Sequence, residues 1–318
     1  MTTIICVGAC YLDTILTVPL FPEEDSKLRA TSLVKRRGGN CPNTLEVLSQ
    51  LISIKSATCN TKLVFLGTLP SSSSQASKTI VDSLPGVDLS HCIYREECFE
   101  AASSYIIKSQ TTDSRTIVNY NELPEMTVDE FVRVAREAGV PEAGGEGVWW
   151  HFEGRIPDIT LACIEHLRSA FPKAKISVEV EKPGRPGLEE LAAQADVVFF
   201  SKSWAEGQGY THPRPFLHDQ ARRLADRSPV MFCTWGAAGA AAYSEREIFL
   251  EKPNSVVVVV DPVGAGDTFI AGILFCLACH PEKDIRQALQ LGISVAEEKI
   301  RREGFQGLAD VMRNHLED

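Results

Sequence analysis

Apolar positions along the chain fall into two alternating patterns. Short runs rich in β-branched or aromatic residues, each the length of a buried parallel strand, occur at Ile4 to Val7, Leu63 to Leu66, Val148 to Phe152, Ile176 to Val180, Val197 to Phe200 and Val230 to Thr234. Between them apolar residues recur at helical spacing, over Pro42 to Leu51, Gln75 to Leu84, Val128 to Ala138, Ile159 to Ala170, Gly187 to Ala195 and Pro215 to Asp226. This alternation predicts an α/β fold, a doubly wound, mostly parallel sheet with helices on both faces. Ligands of such sheets bind beyond the carboxyl ends of the strands.

Two stretches break the rhythm. Ala9 to Lys35 carries Pro19 and Pro22 and no clear helix, while Cys98 to Tyr120 reads as strand and turn, with Ala102 to Ile107 followed by Arg115 to Tyr120. Neither fits a strand–helix unit. Both are expected to build a small β-sheet that protrudes as a lid over the crevice, spanning about residues 9–37 and 98–121; the alternative is two edge hairpins with no functional movement. Ser71 to Ser74, Gly144 to Gly147 and Lys182 to Gly187 are turn-rich connectors too short to link domains. The tail Arg301 to Asp318 reads as a charged helical end with a solvated face.

Composition narrows the function classes. Hydrophobic residues make up 44% and charged ones 23% of 318, which argues against disorder, coiled coil and collagen-like repeat. Forty-two acidic against 32 basic side chains leave a net charge of −10, so no electrostatic footprint exists for coating nucleic acid or an anionic membrane. No apolar stretch reaches the ~18 to 20 residues of a membrane span. Met1-Thr2-Thr3 runs directly into the first strand, which leaves no room for a targeting segment and points to the cytoplasm. The ten cysteines are therefore expected to be reduced thiols. Cys276 and Cys279 have CxxC spacing, but they sit in the apolar run Ile273 to Cys279 and read as a packed helix face rather than a metal or redox site.

The strongest chemical signal is Val256 to Val260 followed by Asp261-Pro262-Val263-Gly264-Ala265-Gly266-Asp267-Thr268. Five valines predict a buried strand, and Thr268 to Ala278 has helical periodicity. Amides of Gly264, Ala265 and Gly266 would then face a ligand from the positive end of a helix, forming an anion hole for a transferred phosphate. Asp267, in the first turn, is placed to accept a proton from a substrate hydroxyl. The alternative is a glycine-rich turn with Asp267 as a helix cap. The run lacks both the Gly-Lys-Ser/Thr ending of a Walker loop and the glycine spacing of a dinucleotide fingerprint.

Asp261 to Asp267 closely resembles the carboxy-terminal signature of the PfkB, or ribokinase-like, sugar kinases, Asp-Thr-x-Gly-Ala-Gly-Asp, and Arg37-Gly38-Gly39-Asn40-Cys41-Pro42-Asn43 resembles that family's amino-terminal motif. Within the family the chain is most similar to the ketohexokinases, through Cys6-Val7-Gly8, Leu12-Asp13, Glu24-Asp25-Ser26, Arg115 to Val118, His151 to Arg155, Val178 to Pro183 and Phe200 to Lys202. The resemblance runs from about Ile4 to about Leu308. It implies one ribokinase-like domain over residues 1–318, and transfer of the ATP γ-phosphoryl group to a primary hydroxyl of a ketohexose, fructose above all. Asp13, Asp25, Gly39, Asn40 and Asn43 match the sugar-contacting positions, and Arg115 matches a lid arginine expected near the transferred phosphate. Gly236, Ala237, Ala238 and Gly239 match a small-residue nucleotide loop. ATP and Mg²⁺ are the implied cofactors, with K⁺ a further candidate, and a homodimer through the lid is the implied assembly.

Glu179 and Glu181 are two apart on one strand and so share a face, where they are placed to hold Mg²⁺ through water. His151 follows two tryptophans on an apolar strand and reads as a satisfied core histidine. Three departures stand against the family pattern. Pro262 replaces the signature threonine, Ser201-Lys202-Ser203-Trp204 stands where the family's Asn-x-x-Glu metal motif is expected, and Ala237 and Ala238 occupy positions often acidic in ketohexokinases. They leave open another sugar or nucleoside, such as ribose or adenosine, and a non-catalytic sensor that keeps the fold. A dinucleotide oxidoreductase is disfavoured, because Val7-Gly8-Ala9-Cys10 lacks the glycine spacing.

Overall fold

The computed structural model describes residues 2–54, 59–112, 114–137, 145–253 and 258–317. A nine-stranded sheet runs in the order β15 (Glu247–Glu251), β14 (Ala240–Ser244), β13 (Val230–Thr234), β12 (Val197–Phe200), β11 (Lys175–Val180), β10 (Val148–Phe152), β1 (Thr2–Val7), β4 (Thr61–Leu66), β6 (Val87–Asp88). The strands from β13 to β6 are parallel, and the hairpin β14–β15 is added antiparallel at one edge. A two-stranded ribbon pairs β5 (Thr68–Pro70) with β7 (Ile93–Arg95). The helices are α1 (Asn40–Ile54), α2 (Gln75–Asp82), α3 (Val128–Glu137), α4 (Pro157–Ala170), α5 (Leu188–Gln194), α6 (Lys202–Gly207), α7 (Pro213–Arg223), α8 (Ala265–Cys279), α9 (Ile285–Ile300) and α10 (Leu308–Glu317).

Alternation along each strand divides the core in two. Ile4 and Cys6 of β1 join Leu45, Leu48, Phe275, Leu289 and Met312 from α1, α8, α9 and α10 on one face. Ile5 and Val7 join Phe131, Ile164, Leu191, Trp204 and Phe216 from α3, α4, α5, α6 and α7 on the other. The expected doubly wound layering follows from this division. The tail is the helical end expected, with Asp310 and Arg313 on its solvated face and Leu308 and Met312 of α10 fully buried against the α1 side.

The two irregular stretches come together as a separate four-stranded sheet in the order β3 (Ser32–Gly38), β2 (Tyr11–Val18), β8 (Ser103–Ser109), β9 (Arg115–Tyr120). The hairpins β2–β3 and β8–β9 join through parallel pairing of β2 with β8, from Leu12 opposite Ser103 to Val18 opposite Ser109. One sheet, rather than two edge hairpins, stands over the strand ends.

Two expectations need correction. Val258, Val259 and Val260 are exposed, Val258 by 84%, and belong to no strand. The β14–β15 hairpin already closes this edge of the sheet, and the chain instead runs along the end of α9, where Ile300 O accepts the N–H groups of Val260 and Asp261 at 2.8 and 3.2 Å. Val256 and Val257 lie outside the described residues, as do Ala138 and Gly144. Cys59 and Cys279 form a disulfide with Cα atoms 5.7 Å apart, so these two are not the reduced thiols expected. Packing of the end of α8 beside the start of β4 brings them together across 220 residues of chain. Cys276 is buried on the packed face of α8, as the apolar run predicts.

Candidate active site

A cleft of about 670 Å³ lies beyond the carboxyl ends of the parallel strands, with Asp13, Ser104, Ile117 and Asn119 of the small sheet on its upper side. The starts of α8 and α1 carry its candidate residues. Gly264, the residue before α8, has φ +78°, and a Cβ there would come within 2.4 Å of the Phe305 ring, so glycine alone serves. The first-turn amides of α8 have no carbonyl within the helix to bind, though the Ala265 N–H reaches back to Pro262 O at 3.3 Å, and Asp267 sits among them as the third helical residue. The positive end of the helix favours its carboxylate.

At the start of α1, Gly39 has φ +107°, and a Cβ on it would meet Ala9 O at 2.2 Å. That tight passage delivers Asn40 and, one turn on, Asn43 to the same cleft. Asn43 Nδ2 donates to Asp267 Oδ2 at 2.7 Å, while its Oδ1 accepts from Arg37 Nη1 at 2.7 Å. A guanidinium only donates, so Arg37 fixes the amide with its NH₂ toward Asp267. The second arm of Arg37 pairs with Glu46. Thr44 Oγ1 adds a bond to Asp267 O at 3.2 Å, so α1 braces the start of α8 twice.

The floor carries further carboxylates. Glu179 Oε2 accepts from Asn40 Nδ2 at 2.8 Å, and Glu181 Oε2 accepts from the same nitrogen at 3.2 Å. Glu153, just past β10, accepts from the Ala9 backbone N–H at 2.9 Å. Burial pushes Glu153 up to about 7, helped by the Glu179 charge, and pushes Glu179 up to about 8. Burial raises Asp267 well above the ordinary carboxylate range, and the charge of Glu179 adds to this, while the Asn43 bond works the other way. His151 is fully buried between Ser177 Oγ, 2.9 Å from Nδ1, and Glu179 Oε1, 3.1 Å from Nε2. Burial lowers its pKa to about 3, which makes it the neutral, satisfied core histidine expected.

Could this floor accept a divalent cation? Glu179 and Glu181 offer hard oxygen donors side by side, tied to one amide, and that donor set suits Mg²⁺. Cys41, His151 and Glu179 also bring one ligand atom each to within 4.8 Å of one another. Each already has a hydrogen-bond partner there, since Cys41 Sγ donates to Val7 O at 3.3 Å.

Of the sequence-derived candidates, Asp13, Gly39, Asn40, Asn43, Glu179, Glu181, Gly264, Ala265, Gly266 and Asp267 all line the cleft. Asp25 does not. It sits on an exposed turn at φ +58°, a conformation short polar residues tolerate, outside the lining. Arg115 is also outside the lining. It shares a strand face with Ile117 and Asn119, but it opens β9 opposite Lys108, at the tip of the hairpin, and is exposed. Gly236, Ala237 and Ala238 form a short 3₁₀ turn, with Gly239 after it, beside the cleft; Thr234 just before them lines it.

Sequence reasoning passed over the cleft's own cations, Arg155, Lys182 and Arg185. Arg155 pairs with Glu125, and Arg185 Nη1 donates to Gly154 O at 2.5 Å. Their signal was positional: each follows the carboxyl end of a parallel strand, β10 or β11, where α/β sheets hold ligands. Glu153 carried the same signal. Arg37 carried none, because only the fold shows that its motif neighbour Asn43 needs orienting.

The comparisons with known proteins agree with this geometry. A model of the pfkB family carbohydrate kinases matches residues 1–311. Ketohexokinase of Mus musculus is 31% identical over 96% of this chain and 98% of its own length. A fructokinase of Rhizobium leguminosarum bv. trifolii is 31% identical over 46% of this chain and 47% of its own length. Among solved structures, ribokinase from Giardia lamblia superposes with a TM-score of 0.77 at 15% identity, covering 99% of both chains. Among the described residues no helix is long and apolar enough to cross a membrane. A helix start that presents an aspartate to the cleft is thus found in a chain whose match extends over both motif-bearing ends: the chain belongs to the pfkB family of carbohydrate kinases and is an ATP-dependent sugar kinase.

Proposed function

We propose that this kinase phosphorylates a primary hydroxyl of a ketohexose, converting fructose to fructose 1-phosphate, with Asp267 as general base. The observation that carries the base assignment is the Asn43–Asp267 bond of 2.7 Å, which holds one carboxylate oxygen and leaves the other for the sugar hydroxyl. Burial raises the proton affinity of Asp267, which brings a carboxylate closer to the basicity that proton abstraction near neutral pH requires. The N–H groups of Gly264, Ala265 and Gly266 receive the transferring phosphoryl group, on which negative charge is spread in the transition state. Asp13, Asn40 and Asn43 supply short polar groups to the sugar hydroxyls, and a sugar that left them unpaired would be rejected. The turn Gly236 to Gly239 gives the nucleotide a surface free of bulky side chains. Glu179 and Glu181 hold Mg²⁺, which when bound screens the phosphate charges. Full-length similarity to a ketohexokinase supports the choice of sugar. Two copies pair through the small sheet, whose face turned from the cleft exposes Leu33, Tyr105, Val118 and Tyr120.

A coupled ADP-release screen with Mg²⁺ and K⁺ over fructose, other ketoses, ribose, adenosine and aldohexoses tests the reading. Fructose is expected to give the highest kcat/KM. Preference for ribose or adenosine reassigns the substrate, and no stimulation by any of them turns the protein into a sensor.

A further inference from the structure

Lys299, the penultimate residue of α9, is wholly buried, at 0% exposure, among the largest fully buried side chains. A lysine is almost never fully buried unless something holds its charge. Here Nζ donates to Asp261 O at 2.8 Å and to Asp261 Oδ2 at 2.9 Å, and it lies 5.3 Å over the Phe305 ring. All three partners belong to the anion turn or its support. Asp261 opens the turn, and its Oδ1 accepts the Val263 N–H at 3.0 Å. Its Oδ2 also takes the Gly304 N–H and Arg36 Nη1 of β3, each at 3.3 Å. Phe305 is the ring that packs against Gly264. One ammonium therefore meets a carbonyl, a carboxylate and a π face at the base of the loop that presents Gly264, Ala265 and Gly266.

Filling space does not require this residue. A methionine would pack as well without the desolvation cost of a charge, and replacing buried ion pairs by apolar residues is often neutral for stability. What methionine lacks is a positive charge under an anion-binding turn. A carbonyl and a carboxylate converging on one site are also the ligands a free monovalent cation would take, and an ammonium carries the same charge.

We propose that Lys299 is a tethered monovalent cation, a positioning residue that holds Asp261 and so sets the anion turn for phosphoryl transfer, and that it removes the need for free K⁺ at this turn. The proposal rests on the reading of the Gly264 to Gly266 amides as the phosphoryl site. It disagrees with K⁺ as a cofactor there, since the oxygen donors of Asp261 already face an ammonium of the chain.

The experiment uses the full chain and the best sugar from the screen. Wild-type kcat in KCl, NaCl and tetramethylammonium chloride at equal ionic strength is expected to agree within about twofold. In Lys299→Ala, kcat should fall about 10²-fold with sugar KM changed less than about threefold, and ammonium, methylammonium or K⁺ should restore it at least about tenfold while tetramethylammonium does not. A folded Lys299→Ala with native kcat overturns the proposal, as does a loss that small cations leave unrescued, or wild-type activation by K⁺ of about tenfold or more over tetramethylammonium. If Lys299→Ala does not fold, Asp261→Asn keeps the carbonyl ligand and the side-chain size. A kcat loss in that variant supports the proposal, and native kcat overturns it. Asp267→Asn run in parallel separates the two readings: its retained turnover sinks the phosphoryl-site reading, while its inactivity beside an unaffected Lys299→Ala sinks only the tethered cation.

Discussion

Below the cleft, the side chains around Asp267 are tied to one another by hydrogen bonds; above it, a four-stranded sheet exposes apolar side chains to solvent. Asn43 is gripped between Asp267 and Arg37, and Arg37 is 7% exposed. Across the cleft, Tyr105 and Val118 face each other on β8 and β9, 51% and 59% exposed. The contrast teaches what each part is for. A proton-transfer and phosphoryl-transfer site gains from groups fixed before substrate arrives, because alignment worth many-fold in rate depends on sub-ångström placement. A sheet that covers substrate needs only polar residues on one face, which leaves its other face free to meet another copy of the chain. The two parts meet through β3, whose Arg37 orients Asn43 and pairs with Glu46 of α1 and whose Arg36 pairs with Asp261, the residue that also holds Lys299.

The largest expected effect strikes the floor. Asp267→Asn keeps the size and the helix start but removes the carboxylate proposed as the base, so kcat should drop by about 10³- to 10⁴-fold while calorimetry shows ATP binding little changed. Turnover near the native rate would mean that the floor is not where the proton goes. Next is Arg37→Met, which leaves Asn43 Oδ1 and the Glu46 carboxylate without their donor. Removing one partner of a buried ion pair costs about 3 to 5 kcal/mol, and the freed amide should also lower kcat. If denaturant unfolding shows a loss below about 1 kcal/mol, the floor is not braced as described.

A third test uses pH. Glu153 lies half-buried beside Glu179, and desolvation, with the Glu179 charge behind it, pushes its value from 4.5 up to about 7. Its folded-state value lies above that of the unfolded chain, so folding takes up a proton. The resulting stabilisation is complete below pH 4.5 and is lost as pH rises through about 7. Glu153 alone should contribute a fall of about 3 kcal/mol over that window, to which Glu179 and Asp267, raised in the same direction, add, so Glu153→Gln should make the profile shallower by about that amount. A wild-type profile that does not fall between those values would show that the acidic floor is better solvated than its burial implies.

Most of the main body was legible because its signals are local. Strands such as Val148–Phe152 and Val230–Thr234 keep the bounds read from their apolar runs, since a parallel strand covered on both faces has to be apolar throughout. The start of α8 was legible from Gly264 and Asp267 for the same reason: a turn that needs a left-handed residue and a helix that favours an early carboxylate both leave their mark in one short run. The exposed valines misled because β-branched residues signal strand propensity, while pairing depends on a free neighbour that the β14–β15 hairpin has displaced. Asp25 and Arg115 were placed by motif similarity, and neither a turn at φ +58° nor a hairpin's reach is written in the residues that carried it. Arg37, Lys299 and the Cys59–Cys279 bridge were invisible for a common reason. Each acts on a partner brought near by the fold, and a lone lysine or cysteine has no periodicity to read.

The smallest effect on stability is expected in the sheet above. Ile117 and Asn119 line the cleft, and alternation turns Val118 between them to the opposite face. A charge at Val118 therefore leaves the cleft lining in place. Being 59% exposed, Val118 has little burial to lose, so Val118→Asp should change unfolding free energy by no more than about 0.5 kcal/mol. If copies pair through this face, the same substitution brings an unpaired charge from each copy into an apolar contact. Sedimentation should then find wild type at twice the 34.9 kDa of one chain and the variant at that mass alone. A variant that stays paired would move the contact to another surface. A wild type that is already single would leave the exposed Tyr105–Val118 pair as a lid surface and nothing more, and the division between a braced floor and an adaptable cover would stand without a partner.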